Sequence, residues 1–190
     1  LGGGQTMMKL TQTILQRWEG AARSGHPLDI DEEMMGLTLN IVGKALLGLD
    51  LQADAGKLAK AVLAMLDYIV YRSQRPLALP LFVPTPRNRR FRHGLHLLDS
   101  LIDQAIANHK LGRANPDTIL SQMLMAEDRE TGRRMSRIEL RDEVITLLVA
   151  GHETAASGLT WLFYLLGQNP AVEEALMAEI GGVLNGRLPT

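Results

Sequence analysis

The sequence predicts an all-α fold, for three reasons. Leucine, alanine, methionine and charged residues dominate its 190 residues, whereas aromatic residues make up only 4%. Residues that are branched at Cβ seldom form runs, which disfavours strands. Apolar residues recur at helical spacing along almost the whole chain. The hydrophobic content of 46% is typical of a folded globular protein, and we expect one domain over residues 1–190.

Local signals place each helix in turn. Gly25-His26-Pro27 ends the first helix, and Asp29 or Asp31 caps the second. Four prolines within residues 76–86 exclude a helix there. Asn115 followed by proline predicts the start of a short helix. The predicted helices cover approximately residues 7–24, 29–48, 56–73, 87–109, 116–126, 137–168 and 170–181.

The longest predicted helix has the clearest start. Ser136 and Glu139 occupy the two positions of a capping box, in which each side chain satisfies the backbone amide of the other residue. Met135 and Leu140 occupy the positions of a hydrophobic staple. Apolar spacing then continues to Gln168, which gives a helix of roughly 45 Å at 1.5 Å per residue. A helix of this length crosses an entire domain.

The middle of this helix contains the sequence Ala150-Gly151-His152-Glu153-Thr154. Glycine costs a helix interior about 1 kcal/mol relative to alanine, and threonine is a poor helix former. The Thr154 hydroxyl could compete for the Ala150 carbonyl and so bend or widen the helix. Gly151 would let a flat ligand approach the backbone. A turn that carries a hydroxyl and the acid of Glu153 could hold a small polar molecule and supply protons, so we predict a functional site there.

This motif resembles the oxygen-binding motif (A/G)-G-x-(D/E)-T of the cytochrome P-450 family. Residues 39–48 resemble the family's helix E, and residues 84–91 resemble the start of helix G in bacterial fatty-acid-hydroxylase-like members. The resemblance covers nearly the whole chain, from about helix D to helix J. It implies the helical core of the P-450 fold, built around the long helix at about 137–168. The family's N-terminal sheet and C-terminal haem-cysteine region are absent from the sequence.

The resemblance implies a haem (iron protoporphyrin IX) monooxygenase that inserts one atom of O₂ into a hydrophobic organic substrate. Ala150 and Gly151 would bind the haem and face the oxygen. Thr154 would act as a catalytic residue by hydrogen-bonding the oxygen, and Glu153 by passing protons inward. Electrons would come from NAD(P)H through a redox partner, either a ferredoxin or a flavoprotein reductase.

The same resemblance implies where a substrate would bind. Thr146, Val149 and Ala150 would line the substrate pocket, with lipid-like or terpenoid compounds as the default substrates. The apolar loop at residues 77–83 would form a mobile roof that gates access, or would pack against the missing sheet. The arginine cluster at residues 87–92 is a solvated helix start, a set of ion pairs within the whole protein, or a docking patch for an acidic redox partner.

The chain contains no cysteine, although the family's fifth iron ligand is a cysteine thiolate. We therefore expect a fragment that supplies no metal ligand and is inactive alone. Disulfides, thiol catalysis and sulfur-ligated zinc or iron–sulfur sites are excluded in it. A zinc-protease interpretation of His152-Glu153 fails because Ala156 stands where the second histidine is needed.

Twenty basic and 21 acidic residues leave a net charge of −1, so nucleic-acid binding is not expected. Apolar stretches such as residues 144–150 are far shorter than the roughly 20 residues of a membrane span. No secretory signal is visible at the start. These features predict a soluble, cytoplasmic protein.

A non-catalytic, all-α ligand-binding or scaffold domain is the alternative, with Gly151 and Thr154 serving only helix packing. A widened turn at residues 150–154 beside a flat apolar cavity would favour the haem interpretation. A regular, tightly packed helix at the same turn would favour the scaffold.

Overall fold

The computed structural model describes residues 2–51, 55–75 and 78–189. Over these ranges the chain forms α-helices together with a single isolated β-bridge, between Glu127 and Arg134. The predicted all-α class is therefore confirmed. The helices are α1 (Gly2–Ser24), α2 (Ile30–Leu47), α3 (Ala55–Gln74), α4 (Pro86–Lys110), α5 (Ile119–Met125), α6 (Arg137–Gln168) and α7 (Pro170–Leu184).

Side-chain caps explain where two of the helices begin. Asp29 Oδ1 accepts hydrogen bonds from the backbone amides of Asp31 (3.0 Å) and Glu32 (3.3 Å) at the start of α2. Thr85 Oγ1 accepts from the amide of Asn88 (3.1 Å) at the start of α4, where proline occupies the first turn. Each cap satisfies amides that have no partner within the helix. The predicted cap at Asp29 is confirmed.

The predicted start of the short helix is wrong by three residues. α5 begins at Ile119, because Thr118 is its N-cap and accepts from the Ser121 amide at 3.2 Å. Asn115 does not cap a helix, since its Oδ1 accepts from the Asp117 amide at 2.9 Å within the preceding turn. Several capping residues in one stretch allow more than one start, and propensity alone does not choose between them.

The last helix is longer than predicted. α7 continues past the glycines at 181 and 182 to Leu184. Asn185 ends it by adopting a left-handed conformation (φ 51°), from which its amide donates to the Gly181 carbonyl at 3.0 Å. Asparagine is one of the few residues that adopt this conformation readily, so the helix ends there rather than at the glycines.

The capping box at the start of α6 is confirmed. The Ser136 amide donates to Glu139 Oε2 at 2.8 Å, and the Glu139 amide donates to Ser136 Oγ at 3.3 Å. The Arg133 guanidinium also donates to both Glu139 carboxylate oxygens, at 2.6 and 3.3 Å. The hydrogen bond from Arg133, followed by those from Ser136, lowers the pKa of Glu139 to about 2 from 4.5.

The depressed pKa predicts a loss of stability in acid. Because the folded-state pKa of Glu139 lies below its unfolded value, the carboxylate contributes stability above pH 4.5 that disappears as the pH falls towards 2. We expect the urea midpoint, followed by circular dichroism, to decline over this interval less steeply in Glu139→Gln than in the wild type. Glu173→Gln, in the first turn of α7, is the matched control and should retain the wild-type slope. Identical slopes in wild type and Glu139→Gln would contradict the prediction.

Backbone contacts divide the chain into two compact units, one of Leu1–Ile41 with Gly151–Thr190 and the other of Val42–Ala150. The core of the first unit contains Ile14, Met34, Leu37 and Ala156, which come from α1, α2 and α6. The predicted single domain over residues 1–190 stays a prediction.

Two polar contacts link α1 to α2 within this first unit. Glu33 of α2 is the acceptor for both, from the Trp18 indole Nε1 at 2.7 Å and from the Arg17 guanidinium. The Trp18 ring also meets Phe163 of α6 edge to face, at a centroid distance of 5.7 Å. A single carboxylate and a single indole therefore join the consecutive helices α1 and α2 to α6, which lies far from them in the sequence.

In the second unit, α3 packs closely against α4. A Cβ atom added at Gly94 would lie 3.0 Å from the Ala61 carbonyl oxygen, so glycine allows the two backbones to approach. The rings of Tyr68 and Phe91 stack nearby with centroids 4.2 Å apart. The helix pair is therefore fixed by a backbone contact and an aromatic contact.

Candidate functional site

Most of the residues that were predicted to have catalytic or binding roles lie along one side of α6. An α-helix turns about 100° per residue, so five of the six predicted residues fall within an arc of roughly 140°. The sixth, Gly151, lies about 60° beyond the end of that arc. In order around the helix the residues are Val149, Glu153, Thr146, Ala150, Thr154 and Gly151.

The structure leaves this side of α6 open. Ala150, Gly151 and Thr154 are exposed, as is Thr146 one turn earlier. Glu153 is half-buried, and Val149 is half-buried as well. The site is therefore a helix face whose small side chains and single hydroxyl reach solvent, bordered by a partly shielded acid.

The other side of α6 is fully buried at Leu148, His152 and Ala156, one residue per turn. Ala156 belongs to the core cluster of the first unit. Sequence reasoning considered His152 only as a possible zinc ligand and missed that it is 1% exposed. The spacing of four residues from both Leu148 and Ala156 is the signal that could have placed it on the buried side. This buried row orients the motif so that Thr154 faces outward.

The helix is regular through the motif, so the predicted widened turn is wrong. Residues 150–154 are α-helical, within one uninterrupted helix. The Thr146 hydroxyl donates to the Asp142 carbonyl at 2.8 Å, which is the four-residue bond that was expected at Thr154. Within the described ranges, the Thr154 side chain forms no hydrogen bond. Its hydroxyl does not compete for the Ala150 carbonyl, and it remains able to donate to and accept from a ligand.

The open side of α6 is suited to a flat, apolar ligand. From Ala150 to Gly158 it carries small residues over about 12 Å, and a Cβ atom added at Gly158 would meet no atom within 4 Å. Larger apolar side chains are exposed at both ends of this strip, Leu147 before it and Trp161 after it. A ring system could lie against the backbone, held by apolar contacts and one hydroxyl. A regular, tightly packed helix was the criterion for the scaffold alternative, and the helix is regular here but not tightly packed. The widened turn that would favour the haem interpretation is not present either, so neither criterion is met in full.

Two ion pairs hold the first turns of α6 against α4. Arg137 makes a bidentate contact with Asp103, with its shortest distance at 2.6 Å, and Arg141 lies 3.8 Å from Asp99. The hydrogen bond from Arg137 lowers the pKa of Asp103. The Arg137–Asp103 pair is half exposed and contributes little stability, whereas the side chains of the Arg141–Asp99 pair are only about a quarter exposed. Two pairs with matched four-residue spacing nevertheless select one register of the helices, a pattern that sequence analysis missed.

The predicted roof is an ordered turn over its described part, residues 78–83; Leu77 lies outside the described residues. The buried Asn88 side chain donates to the carbonyls of Pro80 (2.9 Å) and Val83 (2.8 Å). Arg72 donates to the carbonyls of Ala78 and Leu79, at 3.0 and 3.3 Å. Both flanking helices therefore fasten the turn. Its role as a roof stays a prediction.

Comparison with known proteins gives a consistent family match. Residues 5–190 match the family described as Cytochrome P450. The chain is 40% identical to cyclooctatin synthase of Streptomyces melanosporofaciens over 165 residues. This matched stretch covers 86% of this chain and 36% of that protein. It is 35% identical over 182 residues to cyclooctat-9-en-7-ol 5-monooxygenase of the same organism, covering 95% of this chain and 39% of that protein.

A third relative extends the match to another species. Pentalenene oxygenase of Streptomyces avermitilis is 32% identical over 192 residues, covering 94% of this chain and 42% of that protein. The chain thus spans about two fifths of the length of these relatives. No helix within the described ranges combines the length and apolar content needed to cross a membrane.

Proposed function

Because the chain belongs to the cytochrome P450 family, we propose that the whole protein containing it is a haem monooxygenase. It inserts one atom of O₂ into an apolar organic substrate. The observation that carries this proposal is the open strip of small residues on α6, in which the Thr154 hydroxyl has no hydrogen bond within the described ranges. A packing role would bury these residues, whereas a binding role requires them to be accessible.

The residues of this strip fit a haem. Gly151 lacks a side chain and Ala150 adds only a methyl group, so both can lie against a flat ring. The open space at Gly158 extends that surface by about two turns. When bound, the haem supplies the redox chemistry that activates O₂. This chain has no cysteine, so the thiolate ligand to the iron comes from another part of the whole protein.

Thr154 and Glu153 manage protons in this proposal. The Thr154 hydroxyl can donate to O₂ at the face of the strip while it accepts from a water molecule or an acid. Glu153 is half-buried and lies about 100° around α6 from Thr154. In this proposal it therefore supplies protons from the border between solvent and the strip through water, and not by direct contact with the hydroxyl.

The substrate we propose is a cyclic terpenoid. Val149 adds an apolar side chain at the edge of the site, and the Thr146 hydroxyl is already bonded within the helix, so neither residue demands a polar substrate. Two relatives carry names that refer to cyclooctat-9-en-7-ol and pentalenene. Electrons come from NAD(P)H through a ferredoxin or a flavoprotein reductase.

Replacing Thr154 by alanine in the whole protein tests the proposal. We expect the amount of hydroxylated product per O₂ consumed to fall about tenfold, because one hydrogen bond worth about 1.4 kcal/mol is lost. Peroxide release should rise in proportion. Product and peroxide are measured together, with a cyclic terpene as substrate and a ferredoxin system as electron donor.

Thr154→Ser keeps the hydroxyl and should restore most of the coupling, whereas Thr13→Ala on the exposed surface of α1 should change nothing. Unchanged coupling in Thr154→Ala would remove the proposed role of this residue. A whole protein that binds no haem would overturn the proposed function itself.

A further inference from the structure

A groove opens between α4, α5 and the start of α6, within the second compact unit. Its volume is about 340 Å³, which lies within the range of small-molecule sites. The floor is apolar, with Ile106 from α4, Leu124 from α5, and Met135 and Leu140 from the segment that begins α6. Leu140 is buried and Met135 is 45% exposed. The apolar floor therefore continues from the core to the surface.

The groove is separate from the open strip on α6. Arg137, which lines the groove, precedes Ala150 by 13 residues in the same helix. At 1.5 Å per residue this spacing corresponds to about 20 Å. A molecule in the groove would not touch the residues that were predicted to bind the haem or to catalyse the reaction. The groove is therefore a candidate for a second ligand.

The charged side chains of the groove leave one positive charge without compensation. Arg137 and Asp103 neutralise each other through a bidentate contact that crosses from α6 to α4 and closes the groove at that level. Lys110 lies on the same face of α4, about 10 Å further along the helix. Within the described ranges, Lys110 is exposed and forms no ion pair. Ile106 and Ala107 lie between the neutral pair and this lysine.

We propose that the groove binds a medium-chain carboxylate. Its hydrocarbon chain lies on Ile106, Leu124 and Met135, and its carboxylate pairs with the Lys110 ammonium group. Burial of the chain removes apolar surface from water, and the flexible thioether of Met135 adapts to its shape. A cationic ligand would meet Lys110 with like charge, and the Asp103–Arg137 pair would block an extended peptide. This inference goes beyond the monooxygenase function and does not depend on it.

Nuclear magnetic resonance of the whole protein, with isotope-labelled methionine methyl groups, tests the proposal. Octanoate should shift the Met135 signal, which is identified by its loss in Met135→Leu. Lys110→Gln should weaken octanoate binding about fivefold, which is the contribution of one exposed ion pair. Ala107→Phe introduces a large side chain into the groove from an exposed helical position, so it should abolish the shift.

Two variants of α4 outside the groove are the matched controls. Arg90→Gln removes an exposed charge near the other end of the helix, and Gln104→Phe enlarges an exposed side chain that does not line the groove. Both should bind octanoate as the wild type does. Circular dichroism verifies that every variant is folded. Octylammonium, which has the same chain and the opposite charge, should leave the Met135 signal unchanged.

Three results would overturn the proposal. The first is a wild-type Met135 signal that octanoate does not move, including the case in which only other methionine signals shift. The second is an equal shift of the Met135 signal by octylammonium, because charge would then play no part in recognition. The third is unaltered octanoate affinity in Lys110→Gln.

Discussion

Glu153→Gln in the whole protein is expected to lower the rate of product formation about 100-fold, at the lower end of what a positioned acid contributes. Glutamine preserves the size of the side chain and its place at the border of the open strip, but it does not release and rebind a proton. The measurement is the rate of O₂-dependent hydroxylation at saturating substrate, with haem content matched between variants.

Two further variants sharpen this test. Glu153→Asp retains a carboxyl group one methylene shorter and should recover part of the rate. Glu174→Gln removes an exposed acid on α7, outside the strip, and should leave the rate unchanged. A Glu153→Gln enzyme with wild-type turnover would show that protons reach the site by another path.

Asn88→Leu is expected to lower the free energy of unfolding by about 2 kcal/mol. Leucine matches the volume of asparagine approximately but donates no hydrogen bond, so the carbonyls of Pro80 and Val83 would each lose the Asn88 donor. Each carbonyl keeps a backbone donor, the Val83 amide for Pro80 and the Thr85 amide for Val83, so the cost is that of two lost hydrogen bonds at about 1 kcal/mol each. The measurement is equilibrium urea denaturation followed by circular dichroism.

Asn108→Leu is the matched substitution farther along α4, where no side-chain hydrogen bond to a distant carbonyl is lost, and it should change the free energy of unfolding by less than about 0.5 kcal/mol. A loss below about 1 kcal/mol in Asn88→Leu would mean that water replaces the amide at both carbonyls. The turn at residues 78–83 would then be less firmly held than its hydrogen bonds indicate.

Patterns that act within a few residues were predictable. The capping box of Ser136 and Glu139, the cap at Asp29 and the proline-rich break all follow from local hydrogen bonding and backbone geometry. The placement of Ala150 and Thr154 on one side of a long helix follows from the helical period alone. Predicting these features required no knowledge of which helices pack against each other.

Which hydrogen bond a side chain forms at a given sequence spacing was less predictable. Thr146 and Thr154 each stand four residues after a carbonyl, yet only Thr146 bonds to it. Sequence spacing permits both bonds and does not select the rotamer, which also depends on the surroundings of the side chain. The regular turn at the motif is a consequence of that selection.

Contacts between distant residues were beyond sequence reasoning from a single chain. Arg137 donates a hydrogen bond to Asp103, which lies 34 positions earlier in the sequence. Trp18 of α1 donates a hydrogen bond to Glu33 of α2. Each partner is unremarkable in its own segment, since charged residues on helices are usually solvated. Only the three-dimensional packing shows which of them pair.

The close approach of Gly94 to Ala61 makes Gly94 the point about which α4 would pivot if one end of the helix were displaced. Gly94 stands about 12 Å from the loop end of the helix and about 24 Å from its other end, at 1.5 Å per residue. Rocking about this pivot would roughly double any shift of the loop end by the time it reaches His109. His109 is hydrogen-bonded to Ser121 of α5 at 3.1 Å. A small displacement of the turn that precedes α4 would therefore reach α5 as a larger displacement.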